Sequence, residues 1–326
     1  MADYMQRYSD RQMDQLERRI GRVYAQAARE IQRKFDDFKR QHEAIDRQMQ
    51  ADLAAGKITE QDYRNWLRNQ VFTGDRWRAR QAEITRIYQN ADREARRMVG
   101  ETDKDIFAEA ANRQAYETER DVLGAVSFDL YDRSTVDRLV RDNPQMLPEW
   151  KINEPKDYKW NYQRVNNAVT QGIVQGESVY DIGKRLTREL SASNASHMDM
   201  FARTAVTGAQ NAGRVERMRE ADERFGLKSK KMWVTANDGR VRDAHKELNG
   251  KTVDYDDSFT LLDGRTISYP GDPTADADLV YNCRCTLIYI PDDGIGDFSL
   301  ESHHLPEYDS YNEWKKGKEY QRTKRG

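Results

Sequence analysis

The first 143 residues of the chain contain no proline, and their apolar side chains recur every three to four positions over long stretches. This spacing is the period of an α-helix with one buried face. The other faces carry mostly Arg, Gln, Glu and Asp. The pattern therefore predicts a long helical N-terminal arm or bundle over residues 1–125. Its clearest apolar stripe, called the seam below, contains Leu16, Ile20, Val23, Ile31, Phe35 and Phe38.

Turn and capping residues divide this helical region. Gly56 predicts the end of the first helix, and Thr59 with Asp62 three residues later is typical of a capping box that begins a second one. Gly74 marks another turn before a third helix, and Thr102 predicts the start of a fourth. We expect a helical hairpin or bundle with short connections.

The rest of the chain changes character twice. Three prolines between residues 126 and 160 predict a hinge, and residues 161–292 predict a compact module. In this module helical periodicity over 162–175, 179–190 and 198–225 precedes short runs of β-formers near 231–236, 252–253, 259–262, 266–269 and 286–290. The predicted fold class is α+β, with helices first and short antiparallel strands last. Residues 293–326 form a polar tail that we expect to be flexible or ordered only on a partner.

Charge and hydropathy limit the classes of function. Lys plus Arg (54) and Asp plus Glu (56) nearly cancel, which argues against a strongly basic protein that grips DNA over its whole surface. Mean hydropathy is −1.02, and no apolar run reaches the length of a membrane span, so we expect no membrane partner. The two cysteines, Cys283 and Cys285, are too close to staple a fold, which favours a reducing compartment.

The densest group of chemically active residues leads to a metal hypothesis. Cys283 and Cys285 occupy alternate positions, so on a strand both thiols would face one side, and His245 is a natural third ligand. Such a soft set favours zinc. The fourth ligand would be Asp238, Asp243, a tail histidine (His303 or His304) or water. The alternative interpretation is that both thiols pack as small apolar groups while His245 only hydrogen-bonds.

Acid–base chemistry is a second interpretation of the same region. His245 with Asp238 or Asp243 could form the general acid–base pair of a nuclease, although Asp238 also fits the turn 237–239 and Asp243 a helix start. Arg240, Arg242 and Arg284 suit bridges to carboxylates or backbone carbonyls, and Trp233 suits a core position. The sequence has no glycine-rich phosphate loop, serine nucleophile elbow or HExxH helix.

The order of these motifs resembles the phage Mu F-like minor head proteins, also called head-morphogenesis proteins. The resemblance covers roughly 130 residues, about two-fifths of the chain. It rests on Ala202-Arg203-Thr204, on Trp233, on Asp238 with Arg242 and His245, on Asn249-Gly250, and on Asn282-Cys283-Arg284-Cys285.

The resemblance implies a minor capsid protein of a tailed phage or prophage rather than an enzyme. Such a protein would sit in the virion, inside the head near the portal, after assembly in the host cytoplasm. Its expected partners are portal protein and capsid or scaffold proteins, and contact with packaged DNA is compatible with this position. We predict that the seam is the docking surface for these partners. The alternative is a metal-dependent nuclease or toxin-like effector centred on His245.

Overall fold

The computed structural model describes residues 4–122, 126–147, 154–236, 238–291 and 308–325. Its helices are α1 (Tyr4–Ala54), α2 (Glu60–Trp66), α3 (Gly74–Asp121), α4 (Arg133–Asp142), α5 (Glu154–Gln175), α6 (Val179–Phe225), α7 (Asp243–Lys246), α8 (Ala277–Val280) and α9 (Tyr311–Arg325). Its strands are β1 (Ser229–Val234), β2 (Thr252–Asp254), β3 (Phe259–Thr260), β4 (Thr266–Ile267) and β5 (Thr286–Pro291). This order confirms the predicted α+β fold with helices first and short antiparallel strands last.

The predicted ends of the first helices are confirmed. Helix α1 ends at Ala54, and Gly56 follows with a φ of +69°, which glycine adopts without a steric penalty. At the start of α2 the Thr59 hydroxyl accepts the Asp62 amide at 3.1 Å, while the Asp62 carboxylate accepts the Thr59 amide at 2.9 Å. This reciprocal pair satisfies amides that the first helical turn leaves without intrahelical partners.

Two predicted helix breaks are wrong. Helix α3 continues through Thr102 to Asp121, and α6 runs unbroken from Val179 to Phe225 where two helices were expected. Thr102 is buried inside α3, and Asn194 inside α6 uses its side chain for a tertiary bond of 3.3 Å to Asn161. A residue type that often caps helices marks a helix end only when its side chain binds the neighbouring backbone, whereas the Asn194 side chain binds Asn161.

The chain forms two compact units, and each draws on separate stretches. The first unit comprises Met1–Leu16, Val99–Glu149 and Met200–Gly326, and the second comprises Glu17–Met98 and Trp150–Asp199. Helices α1, α3 and α6 contribute residues to both. The boundaries predicted at residues 125, 160 and 292 divide the chain by composition, whereas these units divide it by compactness, so those boundaries stay a prediction.

The core of the second unit contains most of the seam. Ile20, Ile31, Phe35 and Phe38 are at most 2% exposed. A Cβ atom placed on Gly183 of α6 would lie 2.3 Å from the Phe35 ring, so the two helices approach closely because position 183 has no side chain.

The prediction that the seam is an exposed docking surface is therefore wrong. The Phe38 ring lies 5.6 Å from Trp77 and 6.1 Å from Phe72, Val23 is half-buried, and Leu16 is 1% exposed within the first unit. An apolar stripe on a helix predicts burial but not the surface that covers it. Here the chain itself covers the stripe.

The first unit carries the β-structure. Its antiparallel sheet has the order β2–β1–β5, with Lys231 opposite Val253 on one side and Tyr289 on the other. Strands β3 and β4 form a separate hairpin. The sheet and the hairpin share one hydrophobic core, which contains Trp233, Leu248, Phe259, Leu261, Ile267, Leu279, Val280, Cys283, Cys285 and Leu287.

The C-terminal segment also belongs to the first unit. Residues 311–325 form α9, in which Trp314 is 1% exposed and donates its indole N–H to Glu119 at 2.6 Å. Lys318 binds the same carboxylate at 2.9 Å. The prediction that the C-terminal tail is flexible or ordered only on a partner is therefore wrong for residues 311–325. Residues 292–307 lie outside the described part of the chain. The polar composition of the segment predicted an exposed tail, but the single buried Trp314 anchors α9.

Candidate functional site

One face of α6 binds the backbone of the segment 282–287 through a row of polar side chains. Thr204, Thr207, Asn211 and Arg214 lie three or four residues apart, so they share one side of the helix. Thr204 accepts the Asn282 amide at 3.0 Å, and Thr207 donates to the Cys283 carbonyl at 2.7 Å. Two of the expected motifs, the Ala202-Arg203-Thr204 string and the Asn282–Cys285 string, are thus parts of one structure.

The same face continues beyond the cysteines. The Asn211 side chain accepts the Leu287 amide at 3.0 Å and donates to the Pro270 carbonyl at 3.1 Å. Arg214 donates to the Leu287 carbonyl at 2.6 Å. These side chains satisfy buried backbone groups of a segment that is only partly paired in the sheet. Sequence reasoning missed Thr207, Asn211 and Arg214, although their helical spacing after Thr204 was a usable signal.

Two glycines permit this close approach. A Cβ atom on Gly208 would lie 2.7 Å from the Gly271 carbonyl oxygen, and one on Gly271 would lie 2.5 Å from the Gly208 amide nitrogen. Gly271 also has a φ of +80°. Any larger residue at either position would force the helix and the loop apart.

Asn282 begins the cysteine segment in an unusual conformation. Its φ of +56° is in the left-handed region, which asparagine tolerates better than most residues with a side chain. This conformation turns the chain from α8 so that the Asn282 amide meets Thr204. The motif therefore has an asparagine at this position for a backbone reason.

The motif arginines have structural partners. Arg242 donates to the carbonyl of Leu279 in the short helix α8 and to that of Tyr281, the residue after the helix. Arg284 forms an ion pair of 2.6 Å with Asp238, and this arginine holds the pKa of the Asp238 carboxyl below its ordinary value. Arg240 is exposed, and Arg203 is half-buried on α6.

Trp233 and the Asn249-Gly250 pair form the floor of the site. Trp233 is fully buried on β1, with its ring centroid 4.9 Å from that of His245. The Gly250 amide donates to the Trp233 carbonyl at 2.8 Å, and Gly250 has a φ of +81°. Asn249 accepts the Thr235 amide at 3.0 Å. These bonds close the turn that follows α7 and so position His245.

The structure brings His245, Cys283 and Cys285 together in the core of the first unit. His245 Nδ1 lies 3.5 Å from each sulfur, and the three donor atoms all lie within 4.8 Å of one another. All three residues are buried, with His245 2% exposed. The cysteines lie immediately before β5 rather than within it, and their two thiols still face the same place.

The two thiols differ strongly in acidity. The hydrogen bond from Cys283 lowers the pKa of the Cys285 thiol below its ordinary value against the opposing effect of burial, and His245 contributes in the same direction. The interaction with Cys285 and burial raise the pKa of Cys283 well above its ordinary value. The site thus favours one thiolate next to an imidazole, which are both donors for a soft metal ion.

The predicted fourth ligand is not placed with these three. The Asp238 carboxylate pairs with Arg284, and Asp243 pairs with Lys246 at 2.8 Å. His303, His304 and Asn237 lie outside the described residues. Among the described residues, the cluster of potential metal donors contains only His245, Cys283 and Cys285.

A second polar centre, which sequence reasoning missed, lies inside the second unit. The Asp92 carboxylate accepts the Tyr24 hydroxyl at 2.6 Å and the Asn161 amide at 3.0 Å, and Asn194 donates to Asn161. Burial raises the pKa of Asp92. A cavity of about 530 Å³ adjoins this network. Nothing in the sequence distinguishes Asp92 from the many acids on solvated helix faces.

Comparisons with known proteins agree with the motif. Residues 163–288 match the family described as Phage Mu protein F like protein. The chain is 25% identical over 325 residues, 96% of each chain, to the minor head protein GP7 of Bacillus phage SPP1. It is 34% identical over 158 residues to the NAD(+)–arginine ADP-ribosyltransferase EFV of Enterococcus faecalis, which is 47% of this chain and 31% of that protein. No solved structure matches the chain.

No helix in the described part of the chain is both long enough and apolar enough to cross a membrane. The motif residues Thr204, Trp233, His245, Asn249 and Cys283 meet in the region that matches the family, and the similarity to a minor head protein extends far beyond it. Residues 163–288 thus form a phage Mu F-like module, and over nearly its whole length the chain is similar to a bacteriophage minor head, or head-morphogenesis, protein.

Proposed function

We propose that the protein binds portal and capsid or scaffold proteins during procapsid assembly in the host cytoplasm and remains inside the head near the portal. The observation that carries this proposal is the similarity to a phage minor head protein over 96% of the chain. Similarity of this extent includes both compact units, whereas the family match includes residues 163–288 alone. A role in the head therefore concerns the whole chain.

The surface that binds these partners must lie outside the seam, because the seam residues are covered by the chain. Exposed apolar side chains are the remaining candidates for such a contact. In the first unit Leu262 is 86% exposed at the end of the β3–β4 hairpin. In the second unit Val174 and Ile45 are 61% and 56% exposed on helices α5 and α1. Each can be changed without disturbing a core.

Co-expression of the full chain with the portal protein from the same phage genome tests the proposal. We expect the two to co-purify, and Leu262→Asp, Val174→Asp and Ile45→Asp to show which unit makes the contact. Disruption of the gene should leave procapsids that lack this protein and yield fewer infectious particles. Normal infectivity and no association with either portal or procapsids would refute the proposal.

Catalysis centred on His245 has little support from the geometry. His245 is buried, its Nδ1 faces two sulfurs, and both candidate carboxylates are paired with cations elsewhere. A general base must reach the substrate proton that it abstracts, and a histidine that is 2% exposed offers a substrate little access. We therefore propose a structural role rather than nuclease or toxin activity. A plasmid-nicking assay with Mg²⁺ and Mn²⁺ checks this, and nicking that is lost in His245→Gln would contradict it.

Contact with packaged DNA would depend on unpaired cations. In α9, Lys315 binds Glu109 at 2.6 Å, Lys318 binds Glu119 and Arg322 binds Asp132 at 2.6 Å. These charges are already used within the chain, so they contribute little to a phosphate contact. We expect DNA binding to be weak and to vanish at moderate salt concentration, which a salt titration of binding to duplex DNA measures.

A further inference from the structure

The distances within the His245–Cys283–Cys285 cluster match those of a metal centre. A tetrahedral ion with metal–sulfur bonds of about 2.3 Å and a metal–nitrogen bond of about 2.0–2.1 Å holds sulfur and nitrogen about 3.5–3.6 Å apart. Both nitrogen–sulfur distances in the cluster are 3.5 Å. Two edges of one tetrahedral face therefore already have the correct length, and the two sulfurs lie within 4.8 Å of each other.

We propose that His245, Cys283 and Cys285 bind one soft divalent metal ion, with zinc the best match. Two sulfurs and one imidazole nitrogen are donors that select zinc over magnesium or calcium. No other His, Cys, Asp or Glu donor of the described residues joins the group. Because the described residues supply three ligands, we assign the fourth position to a water molecule.

The neighbouring packing orients the ligands without a metal. Trp233 packs edge-on against the His245 ring, and the Thr207 hydroxyl holds the Cys283 carbonyl. In the described part of the chain, His245 Nε2 is buried without a hydrogen-bond partner, so the ring is positioned by packing and by its Nδ1 side. Preorganised ligands lose little conformational entropy when the ion binds.

The ion would act as a crosslink in the part of the fold that has the least regular structure. Between His245 and Cys283 the chain forms β2, β3, β4 and α8, which contain three, two, two and four residues. Such short elements make few backbone ladder bonds. One ion would close a loop of 38 residues and join α7 to the segment before β5, which stabilises the fold in the same way as structural zinc sites do. This role is independent of the assembly partners proposed above.

Metal analysis of the full chain, purified without a histidine tag under reducing conditions, tests the proposal. We expect about one zinc per chain after growth with zinc or after reconstitution. Replacement by Co²⁺ should give the thiolate-to-cobalt charge-transfer absorption and the strong visible bands of a tetrahedral site. Chelator treatment should lower the melting temperature, and added zinc should restore it. A metal-free cluster held by S–H···N hydrogen bonds predicts no metal and no response to chelator.

The variants separate ligand loss from unfolding. Cys283→Ser and His245→Gln should lose the metal and the cobalt spectrum, with circular dichroism confirming that helices remain. Asp238→Asn is the matched control, because Asp238 pairs with Arg284, and it should retain one metal. Less than about a tenth of an equivalent of metal in the folded wild-type protein after reconstitution, or full metal retention in Cys283→Ser, would overturn the proposal. If Cys283→Ser unfolds, the wild-type cobalt spectrum and chelator response decide alone.

Discussion

The Thr207 hydroxyl donates to the backbone carbonyl of Cys283 at 2.7 Å, in a region where both residues are nine-tenths or more buried. This bond joins helix α6 to the segment that positions the cysteines. Thr204 and Asn211, on the same helix face, bind the segment on either side. The motif residues on α6 therefore hold the cysteine segment against the helix. The contribution of each hydrogen bond to the free energy of unfolding can be measured by a single substitution.

Thr207→Val removes the hydroxyl while keeping the shape of the side chain. The Cys283 carbonyl then loses its buried donor, which we expect to lower the free energy of unfolding by about 1–3 kcal/mol. Thr170→Val is the matched control, since the Thr170 hydroxyl donates to the Asn166 carbonyl on an exposed helix face. Its effect should be below about 0.5 kcal/mol. Urea unfolding measures both, and equal effects would contradict the role of Thr207.

Phe35→Ala should destabilise the second unit rather than specifically abolish partner binding. Phe35 is 1% exposed and packs against Gly183, so its loss leaves a cavity and costs about 3–5 kcal/mol. Ile45→Ala, on the same helix but 56% exposed, should leave stability unchanged. Thermal unfolding and portal co-purification should be measured together. Unchanged stability with lost portal binding would restore the seam as a docking surface.

Many helices and strands could be predicted because hydrophobic periodicity and turn-forming residues depend only on neighbouring positions in the sequence. The runs of β-formers near Trp233 and Leu287 predicted β1 and β5, and Gly56 predicted the end of α1. Long-range choices were not predictable in this way. The seam's periodicity could not show that Phe35 would meet Gly183, and capping residue types at position 102 could not show that α3 continues.

The candidate site was only partly predictable for the same reason. Cys283, Cys285 and His245 were grouped by residue type, and the structure places their donor atoms within 4.8 Å. Their metal binding stays a prediction. The partner of Asp238 could not be inferred, because any of several arginines satisfied the pattern, and only the turn before β5 selects Arg284. Asp92 was missed since burial, not residue type, makes it unusual.

Asp92 should make stability depend on pH. Burial raises the pKa of Asp92 in the folded state above its ordinary value of 3.8, so the unfolded chain ionises first as pH rises. The stability that protonated Asp92 provides is complete below the ordinary pKa and is lost as pH rises through the folded-state pKa. The wild type should therefore be more stable relative to Asp92→Asn at about pH 4 than at about pH 7.

Denaturant unfolding at the two pH values measures this difference. Asn cannot match both bonds of the carboxylate, so Asp92→Asn also carries a constant cost of about 1 kcal/mol from a mismatched partner at Tyr24 or Asn161. Only the change with pH reports the titration. Asp75→Asn, whose side chain is fully exposed, should show no such change. A wild-type advantage that grows towards neutral pH would contradict the raised pKa.

Trp314 decides whether α9 is an integral part of the first unit. The Trp314 ring stacks on Tyr311 at 5.8 Å, and its N–H and Lys318 both bind Glu119. Trp314→Ala removes the buried ring and leaves Glu119 without one donor, so we expect a loss of about 3–5 kcal/mol and rapid proteolysis within 308–325. Tyr320→Ala, at 60% exposure on the same helix, should change neither. If Trp314→Ala changes neither stability nor the rate of proteolysis, α9 is not anchored in the free protein. The prediction that this segment becomes ordered only on a partner would then hold.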